Sequence, residues 1–180
     1  MKALPPPARI SPFGFMVRRM KTSIVSTADR PDLVPVVAGW LWSEWRRKKG
    51  QSFEETLRAV QESVTARLMP RTFVLLADGQ PVGTASLAAH DLEERSELSP
   101  WLAAVFVEPA ARGRGYVNRL IAAVEEAGRA EAISTLWLYT RTAEHIYVRN
   151  GWRTVETIQH KGNAYALMRR DLGDGRPGGL

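Results

Sequence analysis

Three observations predict a single α/β domain with a mixed central sheet of about six or seven strands flanked by helices. An apolar strand, WLAAVFV (Trp101 to Val107), runs through a Gly/Arg loop into an amphipathic helix and on to a second apolar strand, ISTLWLYT (Ile133 to Thr140). That order implies parallel neighbours joined by a right-handed crossover. Two hairpin signals bracket the unit: Asp78-Gly79 between RTFVLLA and VGTASLAAH, and Lys161-Gly162-Asn163 between WRTVETI and AYALMRR. The 180 residues suit one domain large enough to bury a core, with no internal repeat or interdomain linker.

The elements follow in order. Residues 1–19 carry prolines and no apolar periodicity, so they are expected to be a disordered extension. A transit peptide, or sequence upstream of a start near Met16 or Met20, is the other reading. Residues 20–172 then make the domain, and the glycine-rich 173–180 a flexible tail. A first strand is expected over about Met20 to Ser26. Asp32 offers an N-cap and Pro35 falls in the first helical turn, after which Val37, Trp40, Leu41 and Trp45 repeat at helical spacing until Gly50. The stripe of Trp40, Trp42 and Trp45 reads as core, with a substrate contact by one of them as the alternative. Ser52 and Glu55 form a capping box for a second helix, whose apolar face is Leu57, Val60, Val64 and Leu68 up to Pro70. Beyond the first hairpin, Val117, Leu120, Ile121 and Val124 mark one face of the helix after the Gly/Arg loop.

Composition narrows the chemistry. There is no cysteine, which excludes disulfides and thiolate chemistry, and three scattered histidines make no zinc site, so no metal is expected. No apolar run approaches the roughly 20 residues of a membrane span. A cytoplasmic protein without membrane contact is the expectation. The net charge of +6 invites a nucleic-acid reading, but the positive charge concentrates in the first thirty residues, in Arg46 to Lys49, in the Gly/Arg loop and in the last few positions, which argues otherwise. Arg46 to Lys49, for instance, falls where a helix C-terminus favours cations. No nucleic-acid partner is expected, and the protein is expected to be a monomer or homodimer.

The run FVEPAARGRGYVNRLI (Phe106 to Ile121) carries the functional signal. A glycine turn opening a helix leaves backbone N–H groups without intrahelical partners, and they point together at the positive end of the helix dipole. Gly113 and Gly115 allow close approach, Arg112 and Arg114 add charge, and the first turn offers Tyr116, Val117 and Asn118. The loop suits an anionic cofactor. No Gly-Lys-Ser/Thr follows it, and no acidic residue ends the next strand, so neither a P-loop nor a dinucleotide fingerprint is present.

With Val107, Pro109, Arg112, Gly113 and Gly115 in the pattern Val-x-Pro-x-x-Arg-Gly-x-Gly, the chain resembles the GNAT superfamily of acyl-CoA N-acyltransferases. Val117 stands at the motif's final small position, a departure. The family's second motif aligns with Thr140, Ala143 and Tyr147, then Gly151 and Trp152, with Thr140 replacing asparagine and Trp152 phenylalanine. The resemblance spans about Ser23 to Leu172. It implies a GNAT fold, acetyl-CoA as co-substrate with its pyrophosphate on the loop, and its pantetheine arm along Val105, Phe106 and Val107. It further implies that Thr140 and Tyr147 contact the cofactor and that Tyr147 donates a proton to the departing thiolate. Many relatives carry a glutamate base where this chain has Ala103, which cannot take a proton. His90 and Asp91 are the nearest substitutes; Glu97, Glu108 or ordered waters are alternatives.

The implied activity is transfer of an acetyl group from acetyl-CoA to a primary amine by direct attack in a ternary complex. The amine belongs to a small molecule or a peptide; polyamine-like, aminoglycoside-like, peptide N-terminal and protein lysine amines all remain open. The acidic segment Asp91 to Glu97 could draw a cationic amine. Two other readings stand beside this one: a non-catalytic acyl-CoA sensor on the same fold, and a basic nucleic-acid-binding protein.

Overall fold

A computed structural model describes residues 20–66 and 68–173. The extension 1–19 and nearly all of the tail lie outside the described residues. Seven strands form one mixed sheet: β1 (Thr22–Ser26), β2 (Arg71–Ala77), β3 (Gln80–Ala88), β4 (Trp101–Val107), β5 (Thr135–Thr140), β6 (Arg153–His160) and β7 (Asn163–Asp171). Their order is β1-β2-β3-β4-β5-β7-β6, and only β4 and β5 are parallel. Four α-helices accompany them: α1 (Val34–Leu41), α2 (Phe53–Thr65), α3 (Tyr116–Ala130) and α4 (Glu144–Arg149).

Alternation along the strands gives the sheet two buried faces. On β2, Phe73, Leu75 and Ala77 join the core under α3, while Val74 and Leu76 join the core under α1 and α2. On β5, Leu136 and Leu138 face α3; Trp137 and Tyr139 face the other side, with Trp101, Leu92 and Tyr165. The Asp78-Gly79 hairpin forms as expected, with both residues at positive φ, 47° and 82°. The Ser52–Glu55 capping box is complete, Glu55 N–H donating to Ser52 Oγ at 3.1 Å and Ser52 N–H to Glu55 at 2.7 Å.

The first helical region departs from expectation. A single helix from Asp32 to Gly50 is replaced by a 3-10 turn (Pro31–Leu33), α1, a π-type turn (Trp42–Arg46) and a second 3-10 turn (Arg47–Lys49). Asp32 does not cap. Its carboxylate is held by the Arg30 guanidinium through two bonds of 2.8 and 2.7 Å, and Leu33 takes the cap position with no side-chain bond. The second helix stops at Thr65, so Leu68 lies beyond its apolar face in the turn into β2. β1 begins at Thr22, two residues later than expected, and β5 at Thr135, because Ile133 N–H donates to Gly128 O in closing the end of α3.

Two irregularities in β4 position the site. Ala104 has φ 53°, strained for a residue with a Cβ, and the pairing with β3 slips between Thr84 and Ser86. This bulge reverses the alternation: Leu102 faces α3, but Ala104 and Phe106 face α1. Beyond it, β4 leaves β5. The parallel register holds only at Trp101↔Trp137, so the two strands splay and open a gap through the sheet.

Candidate active site

The phosphate cradle is built from consecutive residues. Gly113 and Gly115 adopt φ 77° and 73°, a region L side chains rarely enter, and these two kinks turn the chain from the end of β4 into α3. Among the described residues, the backbone N–H groups of Gly113, Arg114, Gly115, Tyr116 and Val117 have no hydrogen-bond acceptor. Space beside the glycines is open, the nearest atom to a Cβ at Gly115 being Asn118 Nδ2 at 4.0 Å. A cluster of free donors at a helix N-terminus with room beside it fits a diphosphate. Asn118 contributes less than expected: its N–H donates to Gly115 O at 3.1 Å and its side chain accepts from Asn150 at 3.0 Å.

The side chains around the cradle have other employment. Arg112 Nε donates to Val107 O at 3.0 Å, bracing the loop against the strand it leaves. Arg114 and the Tyr116 hydroxyl both meet Met20 Sδ, at 2.9 and 3.7 Å. The Tyr116 ring is buried under α3, so this residue offers the cradle its backbone. Val117 is half-buried against the same core.

Val105, Phe106 and Val107 line the β4 edge of the gap. Phe106 points its ring to the α1 side, 5.5 Å from Trp40 and 6.4 Å from Trp45, which leaves its main chain for a ligand in the gap. Of the tryptophan stripe, Trp40 is core, and its indole N–H donates to Glu108. Glu108 therefore ties α1 to the loop rather than standing free as a base. Trp45 is the most exposed, at 36%.

Tyr147 comes from α4, on the α3 side. Thr140 Oγ1 accepts from Ala143 N–H at 3.2 Å and so braces the turn into that helix. The Tyr147 ring is buried, edge-on to Trp152 at 6.1 Å, and its hydroxyl has no hydrogen-bond partner among the described residues. Burial, with the negative charge of Asp91 adding to it, pushes its pKa up to about 12. The phenol stays protonated at any ordinary pH.

Behind Tyr147 lies a buried ionic hub that the sequence reading missed. Glu125 accepts from Trp152 Nε1 at 2.9 Å and from Arg129 at 3.1 Å, and lies 3.6 Å from Arg170 Nε. Arg170 in turn donates to Gly151 O at 2.8 Å. Gly151 has φ 81°, a region L side chains rarely enter, which accounts for glycine there, and a Cβ would also displace the Arg170 guanidinium. The available signal was Glu125 falling one turn after Ile121 on the buried face of the helix.

On the other side of the sheet, the loop after β3 folds over β5 and β7, anchored by buried Leu92. Asp91 is exposed by its overall surface, yet protein crowds its carboxyl enough that burial raises its pKa to about 6, against the pull of Lys49 and Arg46. The crowding around the carboxyl, rather than the exposure of the residue as a whole, governs its protonation. Its negative charge also adds to the upward shift of the Tyr147 phenol. His90 is exposed and has no hydrogen-bond partner among the described residues, so nothing orients it. The acidic segment is not a free patch: Glu94 bonds His160 Nδ1 at 2.8 Å, and Arg95 pairs with Glu97 and Glu156.

Comparison with known proteins agrees with this geometry. The model of the acetyltransferase (GNAT) family matches residues 35–152. No curated protein matches the sequence. An aminoglycoside 6'-N-acetyltransferase complexed with coenzyme A superposes with a TM-score of 0.69 at 14% identity, over 88% of this chain and 100% of that one. The aminoglycoside N-acetyltransferase AAC(6')-Iy in complex with CoA gives 0.66 at 22% identity, over 81% and 97%. A variant spermidine N-acetyltransferase from Vibrio cholerae gives 0.65 at 12% identity, over 84% and 94%. At such identities the structures testify to a shared fold.

Proposed function

The chain belongs to the acetyltransferase (GNAT) family of acyl-CoA-dependent enzymes, and we propose that it transfers an acetyl group from acetyl-CoA to a primary amine by direct attack in a ternary complex. The observation that carries this reading is the splay of β4 from β5 beyond Trp101↔Trp137, which opens a gap through the sheet beside the free N–H groups of the α3 N-terminus. Bound acetyl-CoA would supply an activated acyl group. Gly113, Arg114, Gly115, Tyr116 and Val117 would hold its pyrophosphate through their N–H groups, and the main chain of Val105 to Val107 its pantetheine arm.

The protein's own part is to bring the amine in and move a proton. Asp91 is the base: above about pH 6 its carboxylate can accept a proton from the incoming ammonium, on the face from which the acceptor approaches. Tyr147 is the donor: as the nitrogen–carbon bond forms and the carbon–sulfur bond breaks, its hydroxyl gives a proton to sulfur. Asp91 releases the first ammonium proton to solvent, and the second, lost from nitrogen as the amide forms, passes through solvent to the Tyr147 phenolate, so that one proton ends on sulfur and one in bulk water. His90 is exposed and unoriented, and so supports Asp91 at most through solvent. Holding both reactants in one gap supplies much of the acceleration. A small-molecule acceptor, action as a monomer or homodimer, and a cytoplasmic site belong to the same reading; among the described residues no helix is long and apolar enough to cross a membrane.

The test is an amine-library screen that detects free coenzyme A thiol, run beside thermal unfolding with acetyl-CoA. Amine-dependent thiol release supports the enzyme. Stabilisation by acetyl-CoA without release for any amine turns the reading to an acyl-CoA sensor.

A further inference from the structure

The three tryptophans of the first helical region are not equivalent. Trp40 is buried and its indole N–H donates to Glu108, while Trp42 donates to Gln51 O at 3.0 Å and sets its ring edge-on to Phe53. Trp45 is held in neither way. It is exposed, and its indole N–H has no acceptor among the described residues. The cause is local: the π-type turn Trp42–Arg46 breaks the helical period that buries Val37, Trp40 and Leu41, and so takes Trp45 out of the core stripe. A large apolar ring and an idle donor are left to solvent.

The ring that Trp45 does meet is Phe106. The two stand edge to face, 6.4 Å apart and inclined by 81°, and Phe106 belongs to the stretch of β4 that borders the gap. The bulge at Ala104 turns Phe106 away from α3. On the other border, β5 also turns Tyr139 away from α3, into a second aromatic group with Trp101 at 6.1 Å, His160 at 5.9 Å and Tyr165 at 5.6 Å. Each of the two splayed strands therefore carries aromatic rings on the face opposite the helix that opens at the phosphate cradle. The carboxylates bonded to these rings are committed, Glu108 to Trp40 and Glu94 to His160. Four cations, Arg46 to Lys49, follow Trp45 directly in the chain, so a second positive charge on a ligand lying there is repelled.

We propose that the acceptor is a primary amine on an apolar, ring-bearing body without a second charge, and that Trp45, backed by Phe106, selects it by lying against that body while the amine is presented to Asp91. This rests on the acetyltransferase reading and narrows it.

The test compares acceptors that share one aminoethyl unit, ethylamine, 2-phenylethylamine and 2-cyclohexylethylamine, with cadaverine as the dication. Burial of a ring predicts a kcat/KM about tenfold to a hundredfold above that of ethylamine. An advantage confined to the phenyl member identifies stacking on Trp45; one shared by both rings identifies apolar burial. Trp45→Ala should cost 2-phenylethylamine about tenfold more than it costs ethylamine, and Trp45→Phe, which keeps a ring, should restore most of that loss. Thermal stabilisation by acetyl-CoA should be the same in both variants, since its phosphates sit at α3; its loss in Trp45→Ala would make Trp45 part of the cofactor site and overturn the inference. Equal efficiency of all four amines, a preference for cadaverine, or an equal loss on every amine in Trp45→Ala also overturns it and leaves the enzyme standing. Thiol release with other amines but with neither ring-bearing one does the same. Release with no amine of any kind overturns both.

Discussion

The phosphate cradle and the acceptor face are built in opposite ways. The cradle is five consecutive residues whose main-chain N–H groups are free, and a glycine turn before a helix suffices to make it. The acceptor face proposed around Asp91 draws Asp91, Tyr139, His160 and Tyr165 from three separate segments, and every contribution is a side chain. A main-chain site depends on local dihedral angles, which sequence encodes nearby. A side-chain site depends on the fold that brings its parts together.

The largest effect should come from breaking the cradle. At about a hundredfold above its dissociation constant, acetyl-CoA should stabilise the protein by roughly 2.7 kcal/mol, a melting shift of about 5–11 °C. Gly115→Asp should abolish the shift, because a carboxylate would stand where the diphosphate goes. Gly115→Ala, strained only by its φ of 73°, should retain part of it. An undiminished shift in the Asp variant would mean that the anion binds elsewhere.

Next comes Tyr147, whose buried hydroxyl has no hydrogen-bond partner among the described residues. Tyr147→Phe keeps the packing against Trp152 and should lower kcat by about 10², the low end for a general acid, with KM for acetyl-CoA within a few-fold. Glu125→Gln weakens the hub that holds Trp152 and should lower kcat by a smaller factor. In the Tyr147→Phe background that second loss should vanish, since no proton donor remains to be oriented. Additive losses would make the hub a matter of stability alone.

The smallest effect is on the acceptor side. kcat/KM should fall as pH drops through about 6, where Asp91 takes up a proton, and Asp91→Asn should remove that limb. Its loss at neutral pH should be about tenfold, less than a shielded base would cause, because solvent reaches the cleft. Stability should move the other way. The folded pKa lies above the ordinary 3.8, so the contribution of Asp91 is complete below that value and is lost as pH rises through about 6. Asp91→Asn should therefore raise the melting temperature at about pH 7.5 and leave it unchanged near pH 4. A variant that melts lower at neutral pH would show an ionised Asp91 in a stabilising pair.

Much of the fold was legible in advance because its signals are short-range. The hairpin at Asp78-Gly79, the capping box at Ser52 and Glu55, and the strand-loop-helix unit around Gly113 each depend on a few neighbouring residues. The cap at Asp32 failed for an equally local reason: Arg30 competes for the same carboxylate. On the candidate site, the spacing of the glycines located a helix N-terminus with free N–H groups, and that of Tyr147 a buried phenol. It did not distinguish the free N–H of Val117 from the committed N–H of Asn118.

What sequence alone determined, then, is the α/β architecture, the anion cradle and the family to which the motifs belong, since alternation, glycine turns and helix ends act over a few residues. The tertiary structure decided the rest. The bulge at Ala104 turns the end of β4 over, the splay opens the gap, Glu125 is buried against Arg170, and Tyr139, His160 and Tyr165 meet as one aromatic cluster. Each depends on groups far apart in the chain, whose burial and mutual field exist only once the sheet has formed.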